Sequence, residues 1–197
     1  TLGIENLATH DIDIGDIDRD GNPEIVSVSS SSRKVVMYSI TGDTALDQII
    51  PVDVSIDSVS SPAVAIADFN SDGDLDVFVA TSGVNRLYHN SAATEAFNTV
   101  SDTSIDTSSY ATVPINAGDF NRDGYLDVIS GVWGGINQLN INNGTKNPFT
   151  QASQTLGTDS SLTQALAIGD VNNDGWLDVV SGNRGANNLL YLNNGTA

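Results

Sequence analysis

Cysteine is absent from the 197-residue sequence, and basic side chains are few. Without cysteine the chain can form neither a disulfide nor a thiolate metal site. It also lacks an apolar run of the roughly 18 residues that a membrane-spanning helix needs, so we expect no membrane insertion. Lys and Arg number 7 against 25 Asp and Glu, which gives a formal net charge of -18. Nucleic acid and anionic lipid surfaces would repel such a chain, whereas cations are partners that it favours.

The sequence also begins without an initiator methionine or a signal peptide, at Thr1. Ser, Thr, Asn and Gly are abundant while Lys and Glu are scarce, a composition common in secreted β-proteins. We therefore expect a processed or excised polypeptide that is extracellular, either secreted or at the cell surface.

Four Asp-rich segments of one pattern recur along the chain and divide it into repeats. They are DIDRDGNPEIV from Asp16, DFNSDGDLDVF from Asp68, DFNRDGYLDVI from Asp119 and DVNNDGWLDVV from Asp170, with spacings of 52, 51 and 51 residues. A period near 50 is too long for ankyrin or leucine-rich repeats and fits propeller blades of four strands.

Alternating residues, many of them β-branched, predict strands on both sides of each segment. In the second repeat a first strand (AVAIAD) precedes the segment, and a second (DVFVA) and a third (NRLYHN) follow it. A weaker fourth strand, AFNTVSD at residues 96–102, precedes the next repeat. No stretch has a helical period. We therefore predict an all-β chain forming one domain over residues 1–197, a β-propeller of four tandem four-stranded blades.

The two ends of the sequence suggest how such a ring closes. Residues 1–3 (TLG) precede Asp16 by the same distance as residues 155–157 (TLG) precede Asp170. The chain thus begins at a fourth strand and stops after a third one. We expect the N-terminal strand to complete the last blade, because pairing removes exposed edges. The alternatives are strand exchange between chains, giving dimers or filaments, and a fragment of a longer propeller.

Each segment is a candidate calcium loop, at residues 16–24, 68–76, 119–127 and 170–178. Calcium takes six to eight oxygen ligands, and a glycine at position 6 allows the sharp turn that lets alternating side chains surround the ion. The side chains at positions 1, 3, 5 and 9 are Asp16, Asp18, Asp20 and Glu24; Asp68, Asn70, Asp72 and Asp76; Asp119, Asn121, Asp123 and Asp127; and Asp170, Asn172, Asp174 and Asp178. Position 7, which would offer its backbone carbonyl, is Asn22, Asp74, Tyr125 or Trp176.

The loops share the opening of an EF-hand loop but not its ending, because position 12 is never glutamate. Four in-phase copies give the chain a clear resemblance to the FG-GAP/VCBS repeat family, the calcium-bearing blades of integrin α-subunit propellers and of many secreted bacterial proteins. The resemblance implies a β-propeller in which the positions given above are the calcium ligands. The chain departs from the family in having four repeats, where seven blades are common.

A solvated turn is the alternative interpretation of any single Asp-Gly loop. However, 14 of the 25 acidic residues lie at loop positions 1 to 9, and carboxylates so close repel one another unless a cation lies among them. Four Ca²⁺ ions with two charges each would change the net charge from -18 to -10. We therefore predict about four calcium ions, one in each repeat.

Few other residues suggest chemistry. His10 and His89 lie in different repeats, and no nucleophile elbow, zinc-protease motif or phosphate loop occurs, so we expect no enzyme. Trp133 and Arg184 occupy equivalent turns of adjacent repeats and are candidate ligand-binding residues. Exposed aromatic rings could stack on a sugar, as in lectins that resemble this family, and packing against a neighbouring blade is the alternative.

These features together predict a non-catalytic extracellular calcium-binding module. It would serve in adhesion, in glycan or protein binding, or in self-assembly into a larger extracellular structure. The alternative is an accessory propeller of a secreted carbohydrate-active enzyme, which the small number of basic residues disfavours.

Overall fold

Antiparallel strands dominate the part of the chain that the computed structural model describes, which is residues 9–29, 34–40, 46–52, 63–81, 83–90, 104–105 and 112–195. Those residues contain fifteen strands and no helix, so no helix long and apolar enough to cross a membrane is found among them. The prediction of an all-β chain is confirmed.

The strands fall into four units that coincide with the sequence repeats. Unit 1 contains β1 (Thr9–Gly15), β2 (Glu24–Ser29), β3 (Lys34–Ile40) and β4 (Leu46–Val52). Unit 2 contains β5 (Ala63–Ala67), β6 (Asp76–Ala80), β7 (Asn85–Tyr88) and β8 (Ser104–Ile105). Unit 3 contains β9 (Thr112–Gly118), β10 (Asp127–Gly135), β11 (Gln138–Asn140) and β12 (Gln154–Thr155). Unit 4 contains β13 (Ser161–Gly169), β14 (Asp178–Asn183) and β15 (Leu189–Tyr191).

Each of the first three units is a four-stranded antiparallel meander, in which every strand pairs with the next one along the chain. The described part of unit 4 repeats the first three strands of this pattern. The predicted fourth strand of the second repeat, at residues 96–102, lies outside the described residues, and a fourth strand is found at β8 instead. Residues 1–6, which were predicted to close the ring, also lie outside the described residues.

One pairing was not predicted from the sequence. The long strand β10 continues past its own unit and pairs with β13, with Trp133 opposite Leu162 and Gly135 opposite Ser161. Units 3 and 4 therefore share one continuous hydrogen-bonded sheet.

Hydrophobic side chains pack between successive units. One cluster combines residues of units 1 and 2, a second combines units 2 and 3, and a third combines units 3 and 4. Alternation along the strands explains this arrangement, because successive side chains point to opposite faces of a sheet. In unit 2, Val77 and Val79 pack towards unit 1, whereas Phe78 between them packs towards unit 3.

The cluster between units 2 and 3 is built around three phenylalanines. The ring of Phe78 lies 6.1 Å from that of Phe69 and 5.8 Å from that of Phe149, and Phe69 and Phe149 are 5.7 Å apart. The tilted and edge-to-face geometries are those that aromatic quadrupoles favour. Phe149 comes from the segment after β11, so this packing fixes unit 3 against unit 2.

We predict that Phe78→Ala lowers the free energy of unfolding by about 3–5 kcal/mol, because it removes a fully buried ring and leaves a cavity. The measurement is urea unfolding followed by circular dichroism, in millimolar calcium. Thr158→Ala, at an exposed position outside the strands, is the control and should change stability by less than about 0.5 kcal/mol. A loss below about 1 kcal/mol for Phe78→Ala would contradict the packing described here.

Candidate metal-binding loops

The four Asp-rich loops occupy the same place in their units, between the first and second strands. The residue before position 1 pairs with position 9 in every unit, as Gly15 pairs with Glu24 and Gly118 with Asp127. Each pair of strands thus brings the two ends of its loop together. The nine loop positions are therefore held in one common geometry.

The backbone conformations of the loops are also the same. Position 4 is left-handed in all four, with φ between 57° and 60° at Arg19, Ser71, Arg122 and Asn173. The glycine at position 6 has φ between 89° and 91° in every loop. Around Gly21 and Gly124 a Cβ atom would meet no neighbour, so the positive φ itself, and not lack of space, is what requires glycine there.

Side-chain oxygens fold inwards onto the loop backbone by one repeated pattern. In loop 3, Asp119 Oδ2 accepts a hydrogen bond from the N–H of Gly124 at 3.0 Å, and Asn121 Oδ1 accepts one from the N–H of Asp123 at 2.9 Å. Asp123 Oδ1 accepts a bond from the N–H of Tyr125 at 2.9 Å. The other three loops repeat these three bonds. These hydrogen bonds fix the orientation of the side chains at positions 1, 3 and 5.

The carboxylate at position 9 is the buried anchor of each loop, with no exposed surface in any of the four. In loop 3, Asp127 Oδ2 accepts the N–H of Phe120 at 3.0 Å, and Asp127 Oδ1 accepts the N–H of Asn142 at 2.8 Å. Loops 2 and 4 have the same two bonds. One side chain thus ties the loop to the end of the third strand.

Loop 1 differs, because position 9 is a glutamate. Glu24 Oε2 accepts the N–H of Ile17 at 2.8 Å, but Glu24 Oε1 is buried and has no hydrogen-bond partner among the described residues. Asp16 Oδ1 is buried and without a partner in the same way. Oxygens of Asp16, Asp18 and Glu24 lie within 4.8 Å of one another.

The chemistry of this donor set fits calcium. Buried carboxylate oxygens without a donor cost free energy unless a cation or a proton satisfies them, and three carboxylates so close favour a divalent cation. Calcium prefers such oxygen ligands in a flexible arrangement. Asp16, Asp18 and Glu24 would hold it in loop 1. The matching positions in the other loops carry two carboxylates and one amide oxygen.

Burial changes the proton affinity of the anchors. Desolvation raises the pKa of Asp127 to about 6, and the nearby carboxylates of Asp123 and Asp119 add to the rise, although hydrogen bonds from Asn142 and Phe120 oppose it. Desolvation also raises the pKa of Glu24. At the loop surface the N–H of Trp176 and the side chain of Asn172 lower the pKa of Asp174.

Adjacent loops contact one another through positions 4 and 7. Arg19 of loop 1 forms an ion pair of 2.8 Å with Asp74 of loop 2, and Arg122 of loop 3 lies 4.3 Å over the ring of Trp176 in loop 4. The ring of Trp176 also packs against Gly195, where a Cβ would collide with it. Of the two interpretations offered for aromatic rings, packing against neighbours is therefore the one observed for Trp176.

The candidate ligand-binding residues and one of the histidines have partners as well. Arg184 lies 5.9 Å over the half-buried ring of Trp133, so the candidate ligand-binding pair is brought together across units 3 and 4.

His89, which had no partner in the sequence analysis, lies beside loop 2 with its Nδ1 3.3 Å from Asn70 Nδ2 and 3.6 Å from Asp76 Oδ1. No motif in the sequence indicated this position.

A cavity of about 520 Å³ lies between units 3 and 4 and is lined by Phe120, Leu177, Val179 and Trp176, among others. The first three occupy positions that match Phe69, Leu126 and Val128 of the preceding interface, where the Phe149 ring is packed. The cavity is therefore the counterpart of the space that the Phe149 ring fills between units 2 and 3.

Comparisons with known proteins agree with this architecture. A model of the FG-GAP-like repeat matches residues 16–79 and 68–130. Among curated proteins no match to the sequence is found.

Among solved structures, the chain resembles an Agrocybe aegerita lectin that recognises non-reducing terminal N-acetylglucosamine, with 19% identity, a TM-score of 0.62, and coverage of 98% of this chain and 51% of the lectin chain. It also resembles the V. cholerae biofilm matrix protein Bap1, with 19% identity, a TM-score of 0.53, and coverage of 86% and 23%. BBS1N, solved in complex with ARL6DN, has 12% identity, a TM-score of 0.53, and coverage of 93% and 54%. The chain thus spans about a quarter of the Bap1 chain and about half of the other two chains, and the likeness shows a shared fold.

We predict that the calcium-free protein loses stability as the pH rises from about 4 to about 6. In this window Asp127 stays protonated when folded but ionises when unfolded, since its pKa rises from 3.8 to about 6 on folding. The loss is up to about 3 kcal/mol, at about 1.4 kcal/mol for each unit of pKa. The measurement is urea unfolding of calcium-free protein at a series of pH values.

Asp127→Asn should flatten this pH dependence, whatever it does to the absolute stability. The matched control is Asp159→Asn, at an exposed position outside the loops, which should keep the slope of the parent protein. An unchanged slope in Asp127→Asn would show that another group titrates in this window.

Proposed function

Because this chain belongs to the FG-GAP-like repeat family, we propose that it is a non-catalytic calcium-binding module with a β-propeller architecture. The observation that carries the proposal is the common geometry of the four loops. Each has inward-facing oxygens at positions 1, 3 and 5 and a buried carboxylate at position 9. A solvated turn would have no reason to bury a carboxylate.

In this proposal each loop binds one calcium ion, which gives four ions in all. Positions 1, 3, 5 and 9 supply side-chain oxygens, and position 7 supplies its backbone carbonyl. The ion would neutralise carboxylates that otherwise repel one another and would hold the loop closed. The protein's own part is to orient the oxygens, through the Asx-type bonds to the loop backbone, and to anchor position 9 in the sheet.

Loop 1 is the strongest of the four sites. It carries acidic side chains at positions 1, 3, 5 and 9, whereas the other loops have asparagine at position 3. It also contains buried, unpartnered oxygens at Asp16 and Glu24. More ligand charge raises calcium affinity, and a cation satisfies oxygens that no donor reaches.

An extracellular location suits these sites. Extracellular calcium modules bind with dissociation constants of about 10⁻⁴–10⁻³ M, which matches millimolar calcium outside cells and not the calcium-poor cytosol. The abundance of Ser, Thr, Asn and Gly supports the same location.

The surface offered by the propeller would bind a glycan or a protein. Solved structures of similar fold include a lectin and a biofilm matrix protein, which supports adhesion or glycan binding as the role. Trp133, whose ring is half-buried beside Arg184, is the residue that we assign to ligand contact. The propeller could be completed within one chain by residues 1–6 or by association of copies, and the hydrophobic side chains exposed on units 1 and 4 favour association.

We predict that millimolar calcium raises the melting temperature by several degrees relative to excess chelator. Each site adds about 2.7 kcal/mol of stability at a hundredfold excess of calcium over its dissociation constant. Glu24→Gln should reduce this calcium-induced shift, because it removes one charge and one ligand from the strongest loop. Asp159→Asn removes the same charge outside the loops and should keep the full shift. A melting temperature that does not respond to calcium would refute the calcium proposal.

We further predict that calcium-loaded protein is retained by at least one member of a glycan array, and that Trp133→Ala weakens this retention about tenfold. An aromatic contact is worth about 1 kcal/mol or more, close to a factor of ten in affinity. The variant must keep the calcium-dependent melting shift, so that loss of folding is excluded. Retention equal to that of the parent protein would place the ligand elsewhere.

A further inference from the structure

Within the described ranges, the exposed large hydrophobic side chains lie at the two ends of the array of units. Among the described residues, six large hydrophobic side chains are exposed, and all six belong to unit 1 or unit 4. They are Ile12, Ile14, Val171, Val180, Leu190 and Leu192, which are 36–58% exposed. We call Ile12 and Ile14 the first-unit face and the other four the last-unit face.

The first-unit face repeats a surface that is covered in unit 2. Ile12 and Ile14 stand four and two residues before position 1 of their loop, as Val64 and Ile66 do in unit 2. Val64 is 5% exposed and Ile66 packs beside it against unit 1, whereas Ile12 and Ile14 are 55% and 56% exposed. In unit 2 the same strand face thus packs on the preceding unit.

The last-unit face likewise repeats a covered surface. Val171 is at loop position 2, where Ile17, Phe69 and Phe120 are at most 5% exposed. Val180 is at position 11, where Val26, Phe78 and Ile129 are at most 1% exposed. Val171 and Val180 themselves are 53% and 36% exposed. The back of unit 4 thus has the shape and chemistry of a surface on which a further unit packs.

We propose that a second copy of this chain occupies both faces, with the last-unit face of each copy packed on the first-unit face of the other. The resulting head-to-tail dimer is a closed ring of eight units, and it rests on the propeller architecture proposed above. Each contact between copies would be of the same type as the three contacts between units within the chain.

The proposed contact joins two different faces, so each added copy covers one face and offers another. Heterologous contacts either close into a ring or continue as a filament, and a ring of this size leaves both apolar faces covered.

Charge does not oppose the contact locally. The two acidic side chains of β1, Asp11 and Asp13, alternate with the isoleucines and accept hydrogen bonds from the backbone of unit 2 at Val64 and Ile66. The first-unit face is therefore apolar although the whole chain has a net charge of -18. Long-range repulsion between copies remains, and calcium or salt would weaken it.

The contact between copies should be weaker than those within the chain. At each inner interface an asparagine after the third strand donates to the position 2 carbonyl of the preceding unit, as Asn90 does to Ile17 at 2.7 Å and Asn142 to Phe69 at 2.7 Å. Asn193 does the same to Phe120. Unit 1 has Ile40 at the matching position and lacks this donor. A reversible, concentration-dependent dimer is therefore expected.

The test is molar mass by light scattering over a dilution series in millimolar calcium. We expect a species of twice the chain mass of 20.6 kDa that dissociates on dilution. The first-unit variant (Ile12→Lys with Ile14→Lys) and the last-unit variant (Val180→Lys with Leu190→Lys) should each remain at 20.6 kDa. Both variants lower the net negative charge, so general repulsion cannot cause the loss. Gln151→Lys with Ser160→Lys, at exposed positions outside both faces, is the matched control and should dimerise.

Mixing the two face variants separates head-to-tail contact from other dimers. Each variant keeps the face that the other has lost, so an equimolar mixture can form one of the two native contacts. The mixture should therefore recover a species of twice the chain mass, but at higher protein concentration than the parent, whereas neither variant alone should do so. A parent protein that stays at 20.6 kDa, a filament of larger mass, or a first-unit variant that dimerises alone would each overturn the proposal.

Thermal melts of the same samples distinguish the test of the dimer from the test of calcium binding. A monomer whose melting temperature still rises with calcium would refute the dimer alone. A dimer whose melting temperature does not change with calcium would refute the calcium sites but not the proposed contact between copies. Calcium-dependent melts of the monomeric variants also show that the variants are folded.

Discussion

The buried carboxylate at loop position 9 is the interaction on which the rest of the structure depends. It joins three parts of each unit, since it begins the second strand, accepts an N–H from position 2 of the loop and, in units 2 to 4, accepts another from the end of the third strand. In the same three units the asparagine that donates this second N–H also reaches back to the preceding unit. Loop, sheet and stacking of units are therefore coupled through one acidic side chain.

This coupling explains why an acidic chain concentrates its charge in the loops. A buried carboxylate is unfavourable, and burial raises the pKa of Asp127 to about 6. Hydrogen bonds from the backbone offset part of that cost. A divalent cation beside the anchor would offset the rest of the cost of burial and would thereby stabilise the sheet in which the anchor lies. In the proposed function, calcium binding and stability would thus depend on the same arrangement of oxygens.

Much of this could be predicted from the sequence because it is local. The strand–loop–strand pattern follows from alternation and from the glycine shared by all four loops, and the oxygen positions follow from their spacing. What could not be predicted depends on residues that lie in different units, about 25 to 55 positions apart. The pair of Arg19 with Asp74, the stacking of Arg122 on Trp176 and the extension of β10 onto β13 all require the relative placement of neighbouring units. The place of His89 beside loop 2 likewise depends on how the third strand returns to the loop.

The most direct test of the account is the number of calcium ions bound per chain, counted by equilibrium dialysis against radioactive calcium at neutral pH with magnesium present as competitor. The account predicts about four ions per chain, one for each loop, with one ion bound more tightly than the other three. Fewer than one ion per chain at millimolar free calcium would contradict it, because the four loops would then be acidic turns held by hydrogen bonds alone.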